Sequence, residues 1–417
     1  MSNNTSSAKI KFNILPIFLA FLCMGFGDAA GPLADLVKGK GIGASPIQAS
    51  LVTFMGFIMF SVLSIPLGLF QDKKGKKTVL LIGLVSALIG MLAPSVGIIL
   101  TLLGINVPAF LTVRSYFIIL FAIFFLGSAN AILQVSGNPI MRDISAEGAY
   151  SKNLTMGQFI KAMGTLSAVL IPIYAINIPF IRTYFSDAPF VALFPIYLIG
   201  ILITVLLIIP LNVNEQNIQN PSPASWKSCL GLLGNKYVLM MVLSIFFYVG
   251  AEVSVFSNIG SYFKDTYNLD LETKGMWGTL FVMISILIGR FSGSLILNWL
   301  SPKIFLIITT ILSLLGISGL YLHIESVAWI STFLIGLGFA NIFPLIFSIA
   351  VDHMPQRTNE LSGLMVTAIV GGAFIPMLFG MAYENFDRIL AGFIVPLICV
   401  VYILFVALAN LKSTVNS

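Results

Sequence analysis

The sequence predicts an all-α membrane protein of twelve transmembrane helices in two six-helix halves. Three observations predict it. Charged residues make up only 9% of the 417 and hydrophobic ones 58%, where soluble domains carry about 25% charged residues. Apolar runs of the roughly 20 residues that one bilayer crossing needs recur twelve times. The longest polar connection lies near the middle of the chain, with six runs on either side. A mean hydropathy of +1.01 is incompatible with a water-soluble surface. That excludes a cytoplasmic enzyme, a secreted disulfide scaffold and a disordered chain. Long unbroken apolar runs also exclude a transmembrane β-barrel, whose strands alternate apolar and polar residues. Cys23, Cys229 and Cys399 show no metal or redox spacing. No enzymatic activity, metal, cofactor or nucleic-acid partner is expected.

The runs fall near 13–34, 47–71, 78–103, 115–140, 154–176, 190–211, 237–262, 275–297, 303–322, 328–350, 361–383 and 388–411. The first follows Lys9 and Lys11, as a signal peptide would. It is too long for one, lacks a clean small-residue cleavage site, and is followed by eleven more spans. It contains GDAAGP, Gly27 to Pro32, where small residues and a proline predict a broken or bent helix at Asp28. An ionisable group inside a span costs about 2.5–3.5 kcal/mol and is a functional-site candidate by default. The second and third runs are joined by GLFQDKKGKK, a G-x-x-x-D-x-x-G-K-K pattern. Gly68 and Gly75 permit a tight turn. Asp72 suits a neighbouring helix N-terminus, and the cluster containing Lys76 suits an anionic inner leaflet.

The fourth run carries Asn130, Gln134 and Asn138 at i, i+4 and i+8, which puts three amides on one helix face. Amides donate and accept, as a ligand rich in hydroxyls requires; they also join membrane helices to one another. The fifth run carries Gln158, Lys161 and Thr165 on one face. Lys161 is the strongest local anomaly. It lies about 12 Å into its span at 1.5 Å per residue, a depth that makes snorkelling hard. After the sixth run, residues 212–236 are enriched in Asn, Pro and Ser and read as a linker. In the seventh run Glu252 follows Tyr248 by one turn and is a ligand, a gate residue or a structural acceptor. Arg290 in the eighth is read as binding backbone, lipid or an inner gate. Asn341 lies in the tenth, and Asp352 and His353 open the polar connection after it. GKGIGAS, Gly39 to Ser45, is read as a flexible outer loop.

The halves echo each other. Asp28 and Glu252 lie at similar depths in the first span of each half, and Asn138-Pro139 is matched by Asn341 with Pro344. Such repeats build secondary transporters. The predicted division is 1–211, a linker over 212–236, and 237–417. With the N-terminus inside, the inner connections carry thirteen basic residues and the outer ones, Lys38, Lys40, Arg114 and Lys274 among them, seven. That excess places both termini in the cytoplasm.

At its place in a 6+6 chain, the loop from Gly68 to Lys77 resembles the signature loop of the major facilitator superfamily. Further motifs resemble the fucose/glucose/galactose permease family. They are ILQVSGNP (132–139), LTMGQF with MGT (154–165), IFFYVGAEV (245–253), GRFSGS (289–294), NIFPLIFSIA (341–350) and SGLMVTAIVGGAFIP (362–376). They occur in both halves, in order. The resemblance implies the major facilitator fold and a proton-coupled importer of a monosaccharide or sugar derivative, working by alternating access. It implies a multi-pass protein of the bacterial inner membrane and a monomer. Asp28 with Pro32 matches the family's proton-linked D-x-x-x-P element, so Asp28 is the expected proton-coupling residue. The expected substrate contacts are Gln134, Asn138, Gln158, Lys161, Glu252, Asn341, Asn130 and Tyr248. Gly68, Asp72, Gly75 and Lys76 form the expected gating loop. Two departures stand out: Gln134 replaces a family Glu, and Lys161 a family Asn. Lys161 therefore pairs either with Asp28 or with a carboxylate on the substrate. The second option would make the substrate a sialic acid or uronate. Loss of the Glu admits an uncoupled facilitator or exporter.

Overall fold

The computed structural model describes residues 3–28, 42, 46–107, 112, 115–186, 188–211, 225–269, 276–386 and 388–415. Pro32, Lys38, Lys40, Arg114, Lys274, most of the 39–45 loop and residues 212–224 of the predicted linker lie outside them. The described residues are helical, without strands. The helices are α1 (Asn3–Gly27), α2 (Pro46–Lys74), α3 (Lys76–Leu102), α4 (Tyr116–Ile144), α5 (Tyr150–Ala175), α6 (Pro179–Tyr184), α7 (Leu193–Ile208) and α8 (Trp226–Gly231). After them come α9 (Lys236–Tyr267), α10 (Met276–Ile296), α11 (Pro302–Gly319), α12 (Glu325–His353), α13 (Thr358–Thr367), α14 (Gly371–Phe386) and α15 (Ile389–Val415).

Eleven helical segments among the described residues are long and apolar enough to cross a bilayer, and Ile14–Gly27 is a shorter apolar helix. These match the twelve predicted runs. Prolines stand inside α1, α2, α3, α4, α5, α12, α14 and α15. Membrane helices tolerate them because neighbouring groups satisfy the freed carbonyls.

The structure differs from the expectation at two places. The eleventh run is two helices, α13 and α14, joined by a 3-10 turn over Ala368–Val370. At that joint a Cβ on Gly371 would overlap the carbonyl oxygen of Phe246. The backbones of α9 and α14 therefore touch, and Pro376 supplies no N–H to the first turn of α14. The linker also contains a helix, α8, started by a reciprocal pair of bonds between Ser225 and Ser228.

The chain forms two compact units. One comprises residues 1–144 and 160–217, the other 145–159 and 218–417. In the first, α4 packs against α1, α2 and α3, and α7 against α1 and α3. In the second, α12 packs against α10 and α11, while α9 packs against α14, α15 and α12. Helices α4 and α12 are buried without a break over 126–141 and 338–351. A helix buried on every side is apolar on every side. The polar residues it keeps, Asn130, Gln134, Asn138 and Asn341, therefore must find partners inside the protein.

Candidate functional site

In the first unit, α1 ends at Gly27 and Asp28 sits in the turn that follows, its N–H bonded to Gly25 O at 3.1 Å. The helix thus ends just before Asp28, where the sequence predicts a break or bend. Glycines bring its neighbours close. A Cβ on Gly25 would lie 2.8 Å from the Gly164 Cα of α5, and one on Gly27 would lie 2.5 Å from the Asn130 Cβ of α4. Small residues at such crossings let membrane helices touch backbone to backbone. Here the contact carries Asp28 between α4 and α5.

The carboxylate of Asp28 gathers three donors. Asn130 Nδ2 donates to Oδ1 at 2.7 Å, Thr165 Oγ1 donates to Oδ2 at 3.0 Å, and Lys161 Nζ lies 3.2 Å from Oδ2. Behind Asn130, Gln134 Nε2 donates to Asn130 Oδ1 at 3.0 Å. One connected chain results: Gln134, Asn130, Asp28, then Thr165 and Lys161. The Lys161 side chain is 13% exposed and that of Asp28 32%. Of the two partners open to Lys161 from sequence, the structure supplies Asp28. An ammonium taken from water needs such a counter-charge, because desolvation of an isolated ion costs several kcal/mol. Asn138, one turn beyond Gln134, is fully buried.

The second unit holds another intramembrane ion pair. Arg290 Nη2 of α10 lies 3.6 Å from Glu252 Oε1 of α9. Arg290 also donates through Nε to Ala340 O and through Nη1 to Gln158 O, each at 3.2 Å. The guanidinium fork thus serves three helices, which a point-charge ammonium cannot do. Tyr248 OH donates to Phe339 O at 3.0 Å and is 1% exposed. Asn341 Nδ2 donates to Gly289 O at 2.9 Å, and its amide lies where a Cβ on Gly293 would stand. Buried Gln158 Nε2 and Asn341 Oδ1 have no hydrogen-bond partner among the described residues. Segment 145–159 joins this unit through Ser151 to Ser348 at 2.7 Å, Lys152 to Asn298 at 2.8 Å, and the rings of Phe159 and Phe291.

In the predicted gating loop, Gly75 adopts φ 86° and ψ 151°, a region essentially reserved for glycine. Gly68 is buried in α2 and Asp72 is exposed. Lys76 is buried and lies 2.5 Å from Asp143 Oδ2 at the end of α4. Asp143 was not singled out from sequence, because it follows the apolar run and reads as a solvated end. Also unpredicted is a cluster at the start of α13. Arg357 pairs with Glu360, and Ser228 of α8 donates to Glu360 Oε1 at 2.6 Å. The i, i+3 spacing of Arg357 and Glu360 was the available signal.

The sequence profile of the Major Facilitator Superfamily matches residues 17–377. A glucose/galactose transporter of Brucella abortus is 29% identical over 99% of this chain and 98% of its own. The L-fucose-proton symporter of Escherichia coli is 20% identical over 88% of this chain and 86% of its own. Among solved structures, the transporter FucP in its outward conformation superposes with a TM-score of 0.77 at 19% identity. It covers 96% of this chain and 99% of that one. With eleven span-length apolar segments and a shorter twelfth among the described residues, in the expected order, and a family profile spanning most of its length, the chain belongs to the Major Facilitator Superfamily.

Proposed function

We propose that this protein is a proton-coupled importer of a neutral monosaccharide or N-acetylated sugar, working by alternating access. The observation that carries the reading is the Asp28 carboxylate, held at a helix end by Asn130, Thr165 and Lys161. A carboxylate inside a membrane protein is the kind of group that takes up and releases a coupling proton. The printed names of relatives, glucose/galactose transporter and L-fucose-proton symporter, support sugar and proton as the cargo. The pairing of Lys161 with Asp28 favours a neutral sugar over an acidic one, since a sugar carboxylate would have to displace Asp28.

We assign the proton to Asp28 and the sugar hydroxyls to Asn130, Gln134, Asn138, Gln158, Lys161, Glu252 and Asn341, with Tyr248 as a packing partner. The reading places the protein in the bacterial inner membrane as a monomer, both termini cytoplasmic, with the sugar leaving unmodified. The test is purified protein in liposomes enclosing a pH-sensitive dye. Adding D-glucose, D-galactose or L-fucose outside is expected to acidify the lumen of liposomes holding the wild type and leave Asp28→Asn silent. Full sugar-driven proton uptake by Asp28→Asn would refute the assignment. Sugar flux without proton uptake in the wild type would make the protein a facilitator.

A further inference from the structure

We infer that Lys161 is the built-in counter-ion of the coupling carboxylate, and that it makes the loaded carrier, not the empty one, the charged species that crosses the membrane field. The inference rests on the proton-coupled reading above. Among the described residues, the pair at 3.2 Å is the sole charge couple in its cluster, because α4 contributes only the amides of Asn130 and Gln134. Among the described residues, the titratable groups facing Asp28 are Lys161 from α5 and Tyr197 from α7. Tyr197 is neutral at physiological pH and its hydroxyl is engaged with Ser167.

The charge count follows. Empty, the site holds one carboxylate and one ammonium and is neutral. Loaded with a proton and a neutral sugar, it holds a carboxylic acid and an ammonium and carries +1. With a neutral residue at position 161, the same cycle would run from −1 empty to neutral loaded. Each version moves one positive charge inward per turn. They differ in which half of the cycle the membrane potential acts on.

Thr165 shows where the proton goes. Its hydroxyl lies 3.0 Å from Asp28 Oδ2 and 3.3 Å from Lys161 O, two acceptors for one hydrogen. Asn130 Nδ2 is donor-only and stays on Oδ1. A proton from the outer solution therefore bonds to Oδ2. The Thr165 hydrogen turns to Lys161 O, and Thr165 Oγ1 accepts from the new Asp28 O–H. The Nζ–Oδ2 contact breaks, the ammonium keeps its three protons, and it offers them to sugar hydroxyls. On the inner side the proton leaves Oδ2 for water and the pair closes again.

The experiment is sugar exchange in proteoliposomes, with radiolabelled D-galactose, D-glucose or L-fucose saturating on both faces at equal acidic pH. The carrier then shuttles only in its loaded form. A potassium-valinomycin potential biases a +1 carrier to one face, so, with the barrier midway across the field, exchange by the wild type slows about 3.5-fold at 100 mV. Exchange by Lys161→Asn, or by Lys161→Gln should the first fail to fold, is indifferent to the potential. Wild-type exchange that ignores the potential, or equal slowing of wild type and variant, overturns the charge count. Both lines are read beside sugar-driven proton uptake. Loss of that signal in the wild type defeats the symport reading itself and the charge count with it. An intact signal with potential-insensitive exchange defeats the count alone.

Discussion

Gly25 of α1 and Gly164 of α5 meet with no side chain between them: a Cβ on Gly25 would overlap Lys161 O, and one on Gly164 would lie 3.0 Å from the Gly25 Cα. This crossing sets the distance between Asp28, three residues beyond Gly25, and Lys161 and Thr165, which flank Gly164. Gly164→Ala is expected to force α1 and α5 apart and cost about 1–3 kcal/mol, as overpacked sites do. Thermal unfolding in detergent checks the stability. Gly380→Ala on α14, where nothing stands within 4 Å, is the control and should leave the melting temperature unchanged.

The Asp28–Lys161 pair should show itself in a double-mutant cycle. Asp28→Asn leaves an ammonium that is 13% exposed without its counter-charge. Lys161→Asn leaves a carboxylate that keeps Asn130 and Thr165. The first single variant should lose more stability than the second, and the double variant should recover about 1 kcal/mol relative to the sum of the two, a value reduced for the partial exposure of Asp28. Additive losses would mean the two charges do not depend on each other.

Sequence made the twelve spans legible because a span is a local property, a length of apolar chain. It also showed that the helix stops at Asp28, since small residues and a proline are local signals. Pairings were less visible. Lys161 announced a buried charge, yet choosing Asp28 over a substrate carboxylate required the glycine crossing of α1 and α5. Arg290 and Glu252 were each visible as intramembrane charges, and their pairing depends on how α9 packs on α10. Asp143 gave no warning, because a carboxylate just outside an apolar run looks solvated until tertiary structure covers it, and Glu360 gave only its i, i+3 spacing from Arg357.

At the loop between α2 and α3, two substitutions should act by different routes. Gly75→Ala places a Cβ in a backbone region that costs about 1–3 kcal/mol for a residue other than glycine. Asp143→Asn removes one partner of a pair whose side chains are 7% and 1% exposed, and breaking such a buried pair costs about 3–5 kcal/mol. Asp143→Asn is therefore expected to lower the unfolding temperature more than Gly75→Ala. Restoring neutrality with Lys76→Met beside Asp143→Asn should regain part of the loss. A double variant no better than Asp143→Asn alone would count against the pair.

Arg290 is expected to tolerate no replacement that keeps only its charge. Lys at this position can face Glu252 but cannot also reach Ala340 O and Gln158 O in the fork geometry. Arg290→Lys should lower stability by about 1–3 kcal/mol through the lost charge-assisted bonds. Sugar transport measured on the same preparation would fall with it. A lysine variant equal to the wild type in both would leave Glu252 as the partner that matters.

The last prediction concerns the short helix α8 in the linker. Glu360 is 1% exposed, and its carboxylate accepts from Arg357 and from Ser228 of α8. Arg357 Nη2 in turn donates to Ser228 O at 3.1 Å, and Cys229 Sγ donates to Glu360 O at 3.7 Å. These bonds hold α8, a six-residue helix too short to be stable alone, against the start of α13. Glu360→Ala would leave Arg357 half-buried without its carboxylate and remove the acceptor of the Ser228 hydroxyl. The helix should then open locally while the spans stay folded. Lys227, exposed on α8, makes this measurable, since trypsin needs several residues of extended chain around the bond it cuts. Cleavage after Lys227 is expected to accelerate at least tenfold in Glu360→Ala, with little change in the global unfolding temperature. Glu360→Gln, which keeps an acceptor for Ser228 but not the charge, should fall between. Equal cleavage rates in all three proteins would show that α8 is held by its apolar contacts, Cys229 foremost, and not by this carboxylate.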